Sequence, residues 1–178
     1  AFQAGGKEAH TRVYRPPEKK QEYLLVDGYN IIFAWKELKE LAETSLDGAR
    51  GRLLDILCNY QGIRSCELIV VFDAYRLEGH REEAMDYHNI HVIYTKEAET
   101  ADMFIERFAH ENAGKYRVSV ATSDGLEQII IRGAGCELIS ARELEEEVRL
   151  ANERILQEYE VQNEKSRLYL SDVFPELD

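Results

Sequence analysis

The sequence predicts an α/β domain built on a mainly parallel sheet of five strands. Short apolar runs recur along the chain, amphipathic stretches separate them, and aspartates stand where several of those runs end. Strands alternating with helices specify parallel pairing with right-handed crossovers. In such sheets ligands gather beyond the carboxyl ends of the strands, near the switch in strand order. A length of 178 residues suits one such domain with a normal core.

Residues 1–21 read as a flexible arm or linker, with Pro16-Pro17 and Lys19-Lys20 ahead of the first strand. The chain does not begin with Met, so it is expected to be processed, truncated or cut from something longer. The domain body is placed at 22–165 and a C-terminal tail at 166–178. Strand one is expected at 23–27. A helix follows over 45–61, with Ser45 as N-cap and Leu46, Ala49, Leu53, Leu54, Leu57 and Tyr60 on one face. Strand two is read at 67–73, and the polar stretch 74–89, with Gly79 inside, as a mobile loop. Strand three covers 90–95 through Ile90, Val92, Ile93 and Tyr94. A helix over 99–113 carries Phe104, Ile105, Phe108 and Ala109. Strand four at 117–122 leads to a short helix over 124–132, and Gly133 to Gly135 turns into strand five at 136–139. In the last helix Ser140 and Glu143 form a capping box. That helix is expected to continue to about 164, with Leu144, Val148, Ala151 and Ile155 inward.

Composition narrows the function classes. No apolar run approaches the roughly 20 residues of a membrane span. Cys58, Cys66 and Cys136 are scattered and odd in number, which suggests reduced thiols in a cytosolic protein rather than a disulfide framework or zinc ribbon. The His88/His91 pair reads as surface or strand residues rather than metal ligands. A net charge of −12 makes the chain a poor non-specific binder of naked nucleic acid, because phosphate affinity comes largely from Lys and Arg.

Four acidic motifs carry the chemistry: Asp27-Gly28-Tyr29-Asn30, Phe72-Asp73-Ala74, Glu99-Thr100-Ala101-Asp102 and Thr122-Ser123-Asp124. Asp27, Asp73 and Asp124 follow apolar runs and fall at one edge of the predicted sheet. Glu99 and Asp102 share one helical face and oppose the positive end of that helix. Three of the motifs have a plain structural alternative: a turn at Asp27-Gly28, an N-cap at Asp124, and mere capping of their helix by Glu99 and Asp102. Together they would repel one another, and a divalent cation is the usual remedy. Hard oxygen donors with little histidine suit Mg²⁺ or Mn²⁺, and those ions suit phosphodiester chemistry. No Walker A loop, G-x-G-x-x-G fingerprint or Ser-His-Asp signature offers a rival chemistry.

On these four motifs, in this order and over about 23–150, the chain resembles the NYN family of PIN-like nucleases, and within it the YacP-like bacterial branch. The resemblance implies a three-layer α/β/α PIN-like (Rossmannoid) fold. It also implies a metal-dependent endoribonuclease acting on single-stranded RNA, with mRNA cleavage in association with the ribosome. Carried over by position, Asp27, Asp102 and Asp124 are implied metal ligands, and Asp73 a ligand or water-positioning residue. Asn30 would orient Asp27 or a bound water, and Glu99 would belong to the same shell. The arm before residue 23 departs from the family pattern and suggests an upstream fused domain, such as a translation-factor GTPase. The acidity favours recruitment by a partner. Tyr75, Arg76, His80 and Arg81, with Tyr87, His88 and His91 further along, make a local basic and aromatic run expected to gate or contact RNA. Two alternatives remain: a non-catalytic RNA- or ribosome-binding module, and a metal-dependent small-molecule phosphohydrolase.

Overall fold

The computed structural model describes residues 20–74 and 82–174. The chain opens with strand β1 (Glu22–Asp27), helices α1 (Gly28–Ala34), α2 (Lys36–Thr44) and α3 (Leu46–Arg64), and strand β2 (Glu67–Phe72). Strands β3 (Glu83–Tyr87) and β4 (Ile90–Tyr94) follow, then α4 (Ala101–Asn112), β5 (Arg117–Ala121), α5 (Gly125–Gly133), β6 (Glu137–Ile139) and α6 (Ala141–Val173). Among the described residues the sheet has six strands in the order β3-β4-β2-β1-β5-β6, parallel throughout except for β3.

Alternation along the central strands divides the core in two. Leu24 and Val26 of β1, with Leu68, Val70 and Phe72 of β2, pack under α1, α2, α3 and α6. Leu25, Ile69 and Val71 point the other way, onto Phe104, Ile105 and Ala109 of α4 and Ile131 of α5. The result is three layers, with β1 buried between β2 and β5. The first crossover runs over one face and α4 over the other, so the direction of winding reverses between β1 and β5. That reversal creates the crevice in which α/β sheets place their ligands.

Three expectations need correction. The sheet gains a sixth strand, because β3 occupies part of the stretch read as a loop. It pairs antiparallel with β4 at the edge, Glu83 opposite Tyr94 and Tyr87 opposite Ile90. Helices α1 and α2 fill a stretch where none was expected. Helix α6 runs on to Val173, past the expected end near 164 and into the tail; its inward residues stop at Ala151, and Ile155 is exposed. The long helix is supported by Glu146–Arg149, Arg149–Glu153 and Arg154–Glu158 pairs and reaches almost to Pro175. Most of the arm read at 1–21, and Tyr75, Arg76, His80 and Arg81, lie outside the described residues.

The local signals otherwise decide the elements. Ser45 caps α3 by accepting the Gly48 amide at 2.9 Å, and Ser140 caps α6 by accepting the Glu143 amide at 3.1 Å. Gly135, at φ 80°, provides the left-handed turn into β6. Cys58, Cys66 and Cys136 are free thiols. Among the described residues no helix is long and apolar enough to cross a membrane.

Gly28 has a more exacting task. A Cβ on it would lie 2.3 Å from the Phe72 ring, so the first turn of α1 sits against β2 only because this side chain is missing. Gly28→Ala is expected to destabilise the protein by about 1–3 kcal/mol through overpacking. Denaturant melts against wild type would measure this.

Candidate metal centre

Asp27 is both the last residue of β1 and the residue preceding α1, so the strand becomes helix with no loop between. Pairing on both sides fixes its backbone, with Asp27 opposite Val71 and Val26 opposite Ala121. Its side chain is buried. Asn30, one turn on, reaches across the crevice and accepts the Ser123 amide at 2.7 Å. It thereby ties α1 to the loop between β5 and α5.

That loop is held at several other points. The Asp124 amide donates to the Thr122 hydroxyl at 3.1 Å, and the Ser123 hydroxyl accepts the Ala141 amide at 3.1 Å. Asp124 accepts the Leu126 and Glu127 amides through Oδ1 at 3.0 and 3.2 Å, which makes it the N-cap of α5. Glu127, in the first turn, points back at the sheet edge. Its Oε2 receives the Thr122 hydroxyl at 2.8 Å. On the other side of the crevice Thr100 caps α4 by accepting the Met103 amide at 3.2 Å, which presents Asp102 in the first turn.

Asp27, Asp102 and Glu127 converge: one carboxylate oxygen from each lies within 4.8 Å of the others. Asp27 and Glu127 are buried and Asp102 is exposed. The chain offers partial compensation, because α4 and α5 direct the positive ends of their dipoles at the cluster. It is incomplete. Burial pushes the Asp27 carboxyl well above the usual carboxylate range, and the Asp102 charge adds to this. Burial raises Glu127 further, followed by the charges of Asp27 and Asp102. As two ionised carboxylates, Asp27 and Glu127 have no donor between them, and among the described residues Glu127 Oε1 is buried without a hydrogen bond. A shared proton or a cation supplies what is missing. Three hard oxygen donors, two of them buried and one unsatisfied, fit a divalent cation of the magnesium type.

The other expected residues are distributed around this cluster. Asp73 follows β2, half-buried, and its carboxyl is raised by burial and by the Asp102 charge, with the Ala101 amide opposing. The Thr95 hydroxyl accepts the Ala74 amide at 3.2 Å and donates to the Glu99 carbonyl at 2.7 Å, which fastens the Asp73 segment to the turn before α4. Asp124 lies next to the cluster, engaged in its cap. Glu99 is spent elsewhere: its buried carboxylate pairs with Arg107 at 2.9 Å and, among the described residues, leaves Oε2 without a hydrogen bond. His91 sits between Asp86 and Glu67, at 2.6 and 3.0 Å, and Tyr87 donates to Asp55 at 2.6 Å. Both serve the β3–β4 edge.

Sequence reasoning missed Glu127. Its signal was the spacing Asp124-x-x-Glu127, the same as Glu99-x-x-Asp102, which at a helix start reads as a capping pattern. Here the carboxylate turns away from the cap toward Thr122 and Asp27.

Known proteins share this architecture. The family profile of the YacP-like NYN domain matches residues 24–176. The YacP protein of Bacillus subtilis (strain 168) is 44% identical over 135 residues, covering 75% of this chain and 79% of that one. The crystal structure of Rae1 (YacP) from Bacillus subtilis superposes with a TM-score of 0.70 at 38% identity, over 87% of this chain and 89% of that chain. A mutant form of the same protein gives 0.66 at 43% identity, over 76% and 79%. With the family profile spanning nearly all the described residues and a relative this similar, the chain belongs to the YacP-like NYN domain family, a nuclease-related group with a PIN-like fold.

Proposed function

We propose that this protein is a Mg²⁺- or Mn²⁺-dependent endoribonuclease that cleaves single-stranded RNA, with mRNA on the ribosome as its working substrate. The observation that carries the proposal is the convergence of the Asp27, Asp102 and Glu127 carboxylates at the switch point of the sheet, with one buried Glu127 oxygen left without a hydrogen bond among the described residues. Asp27, Asp102 and Glu127 would hold the cation. A divalent ion bound there supplies Lewis acidity toward a phosphodiester and toward water. The surrounding residues set its seat. Thr122 orients Glu127, Asn30 and Asp124 fix the β5–α5 loop, and Asp73 stands at the crevice where it can accept a proton from water approaching the phosphodiester. Its raised pKa suits a general base better than an ordinary exposed carboxylate would.

The charge of −12 supports recruitment. An acidic chain gains little from phosphate contacts, so a cytosolic partner such as the ribosome, or a fused translation-factor GTPase, would deliver the RNA. The experiment is incubation of end-labelled single-stranded RNA with the protein, with Mn²⁺ or EDTA, and with or without translating ribosomes. Internal cleavage that needs the metal and is enhanced on ribosomes is the expected result. Intact RNA under every condition would overturn the reading.

A further inference from the structure

Helix α1 presents more than Asp27 and Asn30. At 100° per residue, Tyr29, Phe33, Asn30 and Ala34 fall on one arc, while Ile31 and Ile32 face the core and are fully buried. Asn30, within that arc, is anchored to the Ser123 amide beside the metal centre. Tyr29 and Phe33 stack on each other at its edge, with ring centroids 6.4 Å apart and planes 29° apart. Tyr29 rests on the Phe72 ring at 5.1 Å, and Phe72 stacks on Tyr94 at 5.6 Å and 27°. Arg50 donates to the Tyr29 hydroxyl at 2.9 Å and pairs with Asp47. Tyr29 is therefore held from below and from the side. Phe33 leans on this fixed ring and is nevertheless 45% exposed.

We propose that the Tyr29–Phe33 ledge is a stacking site for an unpaired base of the RNA strand whose phosphodiester lies at Asp27, Asp102 and Glu127. The inference rests on the ribonuclease reading above. Phe33 lies six residues beyond Asp27, the residue that caps its helix, a rise of about 9 Å, within reach of a base near the scissile phosphate. Unpaired bases stack on aromatic faces whatever their sequence. Stacking is also the affinity open to this chain: at −12 it has little to gain from Lys or Arg contacts to phosphate, and contact with a ring does not depend on net charge. The Arg50 guanidinium, paired with Asp47, holds the Tyr29 hydroxyl beside the ledge.

The test uses single-stranded RNA carrying 2-aminopurine at successive positions, whose fluorescence is quenched when the base stacks. Binding is followed in Ca²⁺ and cleavage in Mn²⁺, for wild type, Phe33→Ala and Phe33→Trp. The wild type is expected to quench one position strongly. Phe33→Ala should weaken binding about five- to a hundredfold, the range for losing one base–aromatic stack. That loss should fall on KM rather than kcat and change little between low and moderate salt, and Phe33→Trp should restore it. A mere packing role would instead lower the thermal midpoint and leave KM unmoved. Cleavage with equal KM in wild type and Phe33→Ala overturns the ledge and leaves the ribonuclease reading standing. Quenching that Phe33→Ala abolishes, in a protein that never cleaves RNA, supports the ledge and overturns the ribonuclease reading. Absence of quenching by wild type overturns the ledge regardless of cleavage.

Discussion

Asp27→Asn is expected to lower metal-dependent RNA cleavage more than about a hundredfold while raising the thermal midpoint of the metal-free protein. The two effects have one cause. Removing groups that merely orient metal ligands already costs about 10–100-fold in metal affinity or activity, and Asp27 is placed to be a ligand itself. The backbone cannot shift another group into its place, because β1 is paired on both sides up to this residue. In the absence of metal, though, the Asp27 charge is buried against Asp102 and Glu127. Asparagine keeps the size, removes the charge and brings an amide donor to the place where carboxylates converge. Cleavage assays and thermal melts of the same preparation would check both halves. Wild-type cleavage by the mutant would remove Asp27 from the mechanism.

Addition of Mg²⁺ or Mn²⁺ should stabilise the wild type markedly, since only the folded chain gathers the three carboxylates. At metal about 100 times Kd the gain is about 2.7 kcal/mol, or roughly 5–11 °C for a chain of this size. The gain depends on pH with a definite sign. Asp27 and Glu127 both have folded pKa values raised above their unfolded ones, so the folded state binds the extra protons. Their contribution to metal-free stability is therefore full below the ordinary carboxylate range, about 4, and is lost as pH rises through the folded value of about 7 for Asp27 and beyond it for Glu127. Metal competes with those protons, so the metal-induced rise in midpoint should be larger at pH 8 than at pH 6. Glu127→Gln should flatten the metal-free slope and abolish most of the metal increment. Melts at several pH values with metal or EDTA would show this, and an increment unchanged in Glu127→Gln would place the ion elsewhere.

The legible parts of this protein are those where local chemistry and tertiary role coincide. Buried runs such as Leu68 to Phe72 are apolar on both faces because helices cover both sides, and an aspartate at the end of such a run stands out. Ser45 and Ser140 cap helices because nothing tertiary competes for them. Strand β3 was hidden for the opposite reason. At the sheet edge Glu83, Ala84, Met85 and Asp86 are all exposed, so the alternation that marks a strand is absent and the residues read as loop. Helix α1 was hidden because Asp27 ends the strand and precedes the helix, leaving no turn residues between, and Gly28, the first helical residue, is there for the Phe72 ring. Helix α6 outran its apolar stripe: beyond Ala151 it carries exposed charge pairs as far as Glu158 and meets no Gly or Pro before Val173.

The site was legible to the same extent. Asp27 and Asp102 were marked by position, and the structure brings them together. Asp124 and Glu127 share a helix start, and spacing alone could not say which would cap and which would turn inward. The deciding facts are three-dimensional: the Thr122 hydroxyl on Glu127, and the two amides on Asp124. Glu99 lies next to the motif but is neutralised by Arg107, a residue eight positions away whose approach no local pattern announced.

Calorimetric titration of the purified protein with Mn²⁺ at pH 7, repeated in buffers of different ionisation heat, tests the central claim most directly. If Asp27, Asp102 and Glu127 form a cation site that otherwise shares a proton, binding is saturable and releases a proton, and both signals are lost in Glu127→Gln. Binding without proton release, or with the same heat and affinity in Glu127→Gln, would contradict it.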